Sequence, residues 1–264
     1  MKKTIYDLLS FKGNRVLSVL TAYDYLTAKT IDEAGIDMIL VGDSLGNVVL
    51  GYENTLAVTV EDMIHHGKAV CRGAQNSFVI IDMPFMSYQT SVRDAVINAG
   101  RIISETNCQA VKLEGGVEYA DRIKAITEAG IPVVAHIGMT PQSFNTLGGF
   151  KVQGKTEKSA QKILDDAKAV VEAGAFAVTL ECVPESIATQ ITESTGAITI
   201  GIGAGNQCDA QVLVWQDMTG YSNGFKPKFV KQYANLHDTM LTAFKQYKEE
   251  VENRTYPDKE HTFH

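Results

Sequence analysis

The sequence predicts an α/β protein built as a single (β/α)8 TIM-type barrel. Three observations lead there. Short runs rich in Val, Ile and Leu recur along the chain, and amphipathic stretches of helical length separate most of them. An Ala-Gly pair stands just before new runs, at Gly35, Gly130 and Gly174. Near-continuous apolar runs suit parallel strands buried on both faces. A Gly that closes a helix a few residues before a strand marks an αβ loop. Repeated β/α alternation with no second domain favours a closed barrel over an open doubly wound sheet.

In chain order the strand candidates are Val16–Thr21, Met38–Val41, Phe78–Ile81, Ala110–Leu113, Val133–His136, Phe176–Leu180, Ile198–Ile202 and Val212–Trp215. The eighth is short and partly polar. Helical stretches are expected over Tyr25–Ala34, Val92–Thr106, Tyr119–Ala129, Ser159–Ala173 and Pro184–Ser194. No low-complexity segment or charge block interrupts the chain. Residues 1–264 therefore read as one catalytic domain, with a short tail from about residue 254.

The chain of 264 residues is 45% hydrophobic and 21% charged, which leaves ample apolar material for a core. A formal net charge of -7 offers nothing to a phosphate backbone, so nucleic acid is not an expected partner. The apolar runs are too short to cross a bilayer. Met1 to Leu20 lacks the apolar core of a signal peptide, and a cytoplasmic location is expected. Cys71, Cys108, Cys182 and Cys208 form no C-x-x-C pair and read as reduced thiols.

In a barrel the chemistry sits at the C-terminal ends of the strands. Strand two ends in Gly42-Asp43-Ser44, strand three in Asp82-Met83-Pro84 and strand four in Lys112-Leu113-Glu114. Strand five ends at His136 and strand six at Glu181. Any one of these acids alone could be a solvated loop residue or a helix N-cap. Four carboxylates converging on one mouth instead require a cation. Oxygen ligands without Cys or His suit a hard ion, Mg²⁺ above all. Lys112 shares the inward face with Glu114 by period-two geometry, and suits either a salt bridge or an anionic substrate. His136 is a candidate substrate ligand or a hydrogen-bonded core residue. The Gly201–Asn206 run lacks the last Gly of a dinucleotide fingerprint and follows strand seven, so it reads as a barrel loop. Gly148–Gly154 is either an ordered loop over the mouth or a plain surface loop.

These residues sit in recognisable motifs: LTAYDY at 20–25, VGDSLGNVVLGYENTLAVTVEDMIHH at 41–66, IDMPFMSY at 81–88, AVKLEGG at 110–116, PVVAHIGMTPQS at 132–143, GGFKVQGK at 148–155, LECVP at 180–184 and IGIGAGNQCDAQVLV at 200–214. Together they resemble the ketopantoate hydroxymethyltransferase family over nearly the whole chain. The resemblance implies transfer of a one-carbon unit from 5,10-methylenetetrahydrofolate to 3-methyl-2-oxobutanoate, giving ketopantoate for pantothenate synthesis. It implies Mg²⁺ on Asp43, Asp82 and Glu114. It also implies substrate contact by Asp43, Ser44, Asp82 and Lys112, with Glu181 as the base that forms a Mg²⁺-stabilised enolate. It further implies a homo-oligomer, typically a ring-based decamer. Gln216 and the Cys208-Asp209-Ala210 run depart from the family pattern. Both lie outside the acidic cluster and bear on the folate side or on subunit packing.

Two other readings compete. One is a Mg²⁺/2-oxo-acid barrel of the phosphoenolpyruvate mutase and isocitrate lyase kind, compatible with the Gly-Asp-Ser after strand two but missing that group's Lys-Lys-Cys-Gly-His-like loop. The other is a non-catalytic metabolite-binding barrel, which would have no use for Glu181.

Overall fold

The computed structural model describes residues 2–149, 151–222 and 227–263. The chain divides into two compact units, Met1–Val214 and Trp215–His264.

The first unit is a closed parallel barrel with strand order β1-β2-β3-β4-β5-β6-β7-β8, and it bears out the predicted fold class. The strands are β1 (Leu17–Thr21), β2 (Met38–Val41), β3 (Phe78–Asp82), β4 (Ala110–Glu114), β5 (Val133–Gly138), β6 (Ala177–Glu181), β7 (Ile198–Ile202) and β8 (Ala210–Leu213). Seven of them overlap the predicted runs closely. The eighth begins two residues before the predicted start. Its register explains the shift: Ala210 pairs with Leu17 and Ile200, and Gln211 with Ser18 and Gly201. Closure needs these backbone groups whatever their side chains, so hydrophobicity alone misplaces the strand.

The helices of this unit are α1 (Ile5–Ser10), α2 (Tyr25–Glu33), α3 (Leu45–Val48), α4 (Val60–Gly73), α5 (Val92–Thr106), α6 (Ala120–Glu128), α7 (Phe144–Leu147), α8 (Glu157–Glu172) and α9 (Glu185–Ser194). The sequence reading leaves out α4. A reciprocal cap starts it: the Thr59 hydroxyl accepts the Asp62 N–H, and the Asp62 carboxylate accepts the Thr59 N–H. Met63, Ile64, Gly67 and Val70 form its buried face. Gly67 lets α4 pack close, since a Cβ there would come within 2.5 Å of Ile81 Cδ1 and force that side chain to move.

Inside the barrel, Val19, Met38, Phe78, Ile80, Ala110, Val134, Ala177, Ile198, Ile200, Ala210 and Val212 form one continuous buried cluster. Leu8 from α1 joins it among the strand-start residues and is fully buried. Burial of one such side chain contributes roughly 1.5–3 kcal/mol. A void of only about 10 Å³ remains, with Lys112 and Thr179 on its lining. The barrel is thus filled, and side chains are available for chemistry only above this layer.

The second unit contains α10 (Trp215–Thr219) and α11 (Leu236–Glu252). Trp215 stacks on Tyr221 at 5.6 Å. Asn235 caps α11 through the Asp238 N–H. Among the described residues no helix is long and apolar enough to cross a membrane. The four cysteines form no disulfide. Of the predicted loop 148–154, Phe150 lies outside the described residues.

Candidate active site

The C-terminal ends of β2, β3, β4, β5 and β6 bring the predicted residues together. Asp82 and Lys112 are direct neighbours across β3 and β4, and Glu114 and His136 across β4 and β5. Lys112 Nζ lies 2.6 Å from Asp82 Oδ1. The other Asp82 oxygen accepts the Asp43 N–H at 3.0 Å. Gly42 permits this turn, since a Cβ there would come within 2.7 Å of the Ser44 hydroxyl. Ser44 Oγ hydrogen-bonds Tyr23 Oη at 2.8 Å.

His136 sits between two acids. Its Nδ1 is 3.5 Å from Lys112 Nζ and 3.6 Å from Glu114 Oε1. Its Nε2 is 3.3 Å from Glu181 Oε2, off the direction of a hydrogen bond. Burial and the Lys112 charge push the imidazole below its ordinary pKa, against the pull of Glu181. That shift favours the uncharged ring. With Nδ1 facing an ammonium, the proton belongs on Nε2, toward Glu181.

Glu181 ends β6, and its side chain is 14% exposed while its neighbours in the cluster are nearly closed off. It does not cap the next helix, where Pro184 occupies the N-cap without a side-chain bond. Cys182 holds the left-handed φ of 50° directly after it. Its N–H bonds Ile202 O and its carbonyl accepts the Gln153 N–H, so the chain turns sharply away and leaves Glu181 at the rim.

Charge does not balance here. Asp43, Asp82, Glu114 and Lys112 are each at most 5% exposed. Burial, reinforced by Asp82, raises the Asp43 carboxyl to about 7 despite Lys112 and Gln142. Burial and Asp43 push Glu114 well above the carboxylate range. Lys112 stays charged, because the three carboxylates outweigh its own desolvation. One ammonium cannot neutralise all of these acids, so burial pushes Asp43 and Glu114 toward their protonated forms, a shift that a divalent cation would reverse.

The donor set therefore fits a hard cation, with one restriction. Among the described residues, no three His, Cys, Asp or Glu side chains stand ready to hold one ion directly. Asp82 is engaged by Lys112, and Glu114 accepts the Gln142 N–H at 2.9 Å. The arrangement suits Mg²⁺, which takes one or two carboxylates and fills its remaining positions with water and substrate oxygens. A groove of about 590 Å³ along α8, between Lys158 and Asp166, includes none of these residues.

Sequence reasoning missed Gln142 and Tyr88. Both are buried beside the acids. Gln142 was within reach: it follows Thr140-Pro141 just beyond β5, in a loop at the C-terminal end of the barrel. The predicted strand stopped at His136, and nothing in the local pattern marks an amide as a partner of acids on other strands.

The loop after β7 is built as expected, with Gly203 and Gly205 at φ 65° and 81°. Gly205 packs so closely on Glu185 that a Cβ would fall within 2.4 Å of it.

Comparison with known proteins places this geometry in a family. Among solved structures, the chain resembles a phosphonopyruvate hydrolase in complex with oxalate and Mg²⁺ (TM-score 0.62, 11% identity, covering 98% of this chain and 93% of that one). It also resembles a 2,3-dimethylmalate lyase of the PEP mutase/isocitrate lyase superfamily (TM-score 0.60, 18% identity, covering 99% and 93%). At such identities the likeness is one of fold. In sequence the chain is 61% identical to a 3-methyl-2-oxobutanoate hydroxymethyltransferase of Enterococcus faecalis, over 100% of this chain and 96% of that protein. It is 59% identical, with the same coverage, to one of Clostridium novyi. The family model described as ketopantoate hydroxymethyltransferase matches residues 2–259. The chain belongs to the ketopantoate hydroxymethyltransferase family.

Proposed function

We propose that this enzyme moves a hydroxymethyl unit from 5,10-methylenetetrahydrofolate to 3-methyl-2-oxobutanoate, releasing ketopantoate and tetrahydrofolate, with Mg²⁺ as its metal. The observation that carries the reading is the cluster of buried acids at the mouth, more than its one fixed ammonium can neutralise, next to one more accessible carboxylate. Such a set can receive a cation and a 2-oxo acid together, in a chain more than half identical to named 3-methyl-2-oxobutanoate hydroxymethyltransferases.

In this reading Asp43, Asp82 and Glu114 would hold the metal, in part through bound water. When bound, Mg²⁺ supplies a Lewis acid for the keto oxygen. Asp43, Ser44 and Asp82 line the oxo-acid position. Lys112 offers its ammonium to the substrate's negative charge, and the neutral His136 contributes a ring N–H. Glu181 removes the proton from C3. The C3 carbon then forms a bond to the methylene carbon of the folate, and water supplies the hydroxyl group as tetrahydrofolate leaves. A binding protein has no use for that last carboxylate, whereas proton abstraction requires one.

The same proposal takes residues 1–264 as one catalytic domain of a cytoplasmic, decameric homo-oligomer. The test is an assay of ketopantoate formation with 3-methyl-2-oxobutanoate, with and without the folate and Mg²⁺. Turnover without a folate, or undiminished in EDTA, would refute the corresponding half of the reading.

A further inference from the structure

Gln142 is 6% exposed, and its side-chain amide meets a polar partner at every position. Its Nε2 donates to Asp43 Oδ2 at 2.8 Å and to Met83 O at 3.0 Å. Its Oε1 faces Tyr88 Oη at 2.8 Å and accepts from Gln89 Nε2 at 3.0 Å. Its backbone N–H donates to Glu114 Oε2 at 2.9 Å. The orientation of the amide follows from chemistry, because Nε2 meets two acceptors and Oε1 meets two groups able to donate. Tyr88 extends the network, its hydroxyl accepting the Glu114 N–H at 3.1 Å. A single residue in the turn after β5 thus grips the ends of β2, β3 and β4 at once.

We infer that Gln142 is a positioning residue of the active site, holding Asp43 and Glu114 in the geometry that receives the metal and the oxo acid. It takes one oxygen of each carboxylate, Oδ2 of Asp43 and Oε2 of Glu114. The second oxygen of each keeps its capacity for a ligand. The neutrality of the amide matters. A Lys or Arg here would cancel charge that a bound cation needs, and an acid would repel Asp43. The amide orients Asp43 and the backbone N–H orients Glu114, and neither cancels the carboxylate's charge. Partners that orient metal ligands in this way affect affinity nearly as strongly as the ligands do.

The inference rests on the reading of Asp43 and Glu114 as metal-holding residues, and the experiment separates the two. Mn²⁺ binding to the full chain is titrated by electron paramagnetic resonance without substrates, for the parent and for Gln142→Met, which keeps the length and loses every side-chain hydrogen bond. The parent is expected to bind Mn²⁺. The variant, with an unchanged circular dichroism spectrum, is expected to bind roughly 10–100-fold more weakly. Its KM for the oxo acid should rise while the folate KM stays fixed. Equal Mn²⁺ affinity in parent and variant overturns the inference and leaves Gln142 a structural strut. No Mn²⁺ binding by the parent overturns the metal reading and the inference with it. Should Gln142→Met fail to fold, Tyr88→Phe removes the hydroxyl that joins the amide to the Glu114 backbone. A several-fold loss of Mn²⁺ affinity is then expected, and an unchanged affinity overturns the inference.

Discussion

The two ends of the barrel both collect buried acids and treat them in opposite ways. At the N-terminal end each acid meets more donors than it has charge. Asp37 accepts both Arg15 nitrogens, at 2.7 and 3.1 Å, together with the Ser18 N–H. Asp209 accepts Lys12 Nζ at 2.6 Å and the Thr199 N–H at 2.9 Å. Asp32 takes the N–H groups of Ser77 and Asn76. Burial pushes the Asp32 carboxyl up, but those donors outweigh it and hold it at about 2. At the C-terminal end burial and mutual repulsion win, and Asp43 rises to about 7. Acids with surplus donors tie elements together, whereas acids short of donors are set up for a ligand. On the proposed function the same residue type is structural at one end and chemical at the other, in keeping with the division of labour in (β/α)8 barrels.

The largest effect expected is at the rim. Glu181→Gln should lower C3 deuterium exchange of 3-methyl-2-oxobutanoate in D₂O by ~10²–10⁴-fold while leaving the fold and oxo-acid binding in place. Exchange at the parental rate would transfer the base role to His136 or to a water.

Next comes Lys112, the buried cation of the mouth. Lys112→Met leaves Asp82 without its partner, and loss of one member of a buried pair costs ~3–5 kcal/mol. Urea titration should find that loss without Mg²⁺ and recover part of it with Mg²⁺ present. The oxo-acid KM should rise more than the folate KM. A destabilisation indifferent to Mg²⁺ would mean that the two ends do not differ as described.

The N-terminal end should respond in stability and not in rate. Asp32→Asn turns an acceptor toward donors it cannot all satisfy, and each buried donor left unpaired costs ~1–3 kcal/mol. The midpoint in urea should fall with kcat unchanged. The pH dependence has a definite sign. Asp32 has a folded pKa of about 2, below its unfolded value of ~3.9, so the unfolded chain binds more protons between them. The stabilisation is complete above about pH 4 and disappears as the pH falls toward 2. Asp32→Asn should flatten that part of the acid limb, and an unaltered limb would refute the assignment.

The smallest change serves as a yardstick for both ends. Thr59→Ala removes the cap of α4 and should cost ~1 kcal/mol, read as a small drop in Tm with normal kinetics.

The barrel was legible because parallel strands buried on both faces must be apolar throughout, and seven of the eight runs announce themselves that way. Asp43, Asp82, Lys112, Glu114, His136 and Glu181 were legible as a group for a related reason. A polar residue ending an apolar strand is costly unless something meets it, and the barrel puts all such ends on one rim. The eighth strand was misplaced because closure onto β1 and β7 set its pairing. Helix α4 was passed over although its Thr59–Asp62 cap is written in four consecutive residues.

By itself, then, the sequence determined the element types, the barrel and the set of acids at its mouth, since each depends on burial patterns read within a few residues. Only the tertiary structure decided which acid meets which partner. Asp82 is neutralised by Lys112, His136 stands between Glu114 and Glu181, and Gln142 reaches Asp43 across 99 positions of chain. These outcomes depend on barrel register and on the competition of several charges for one ammonium, and that competition exists only once the strands have closed.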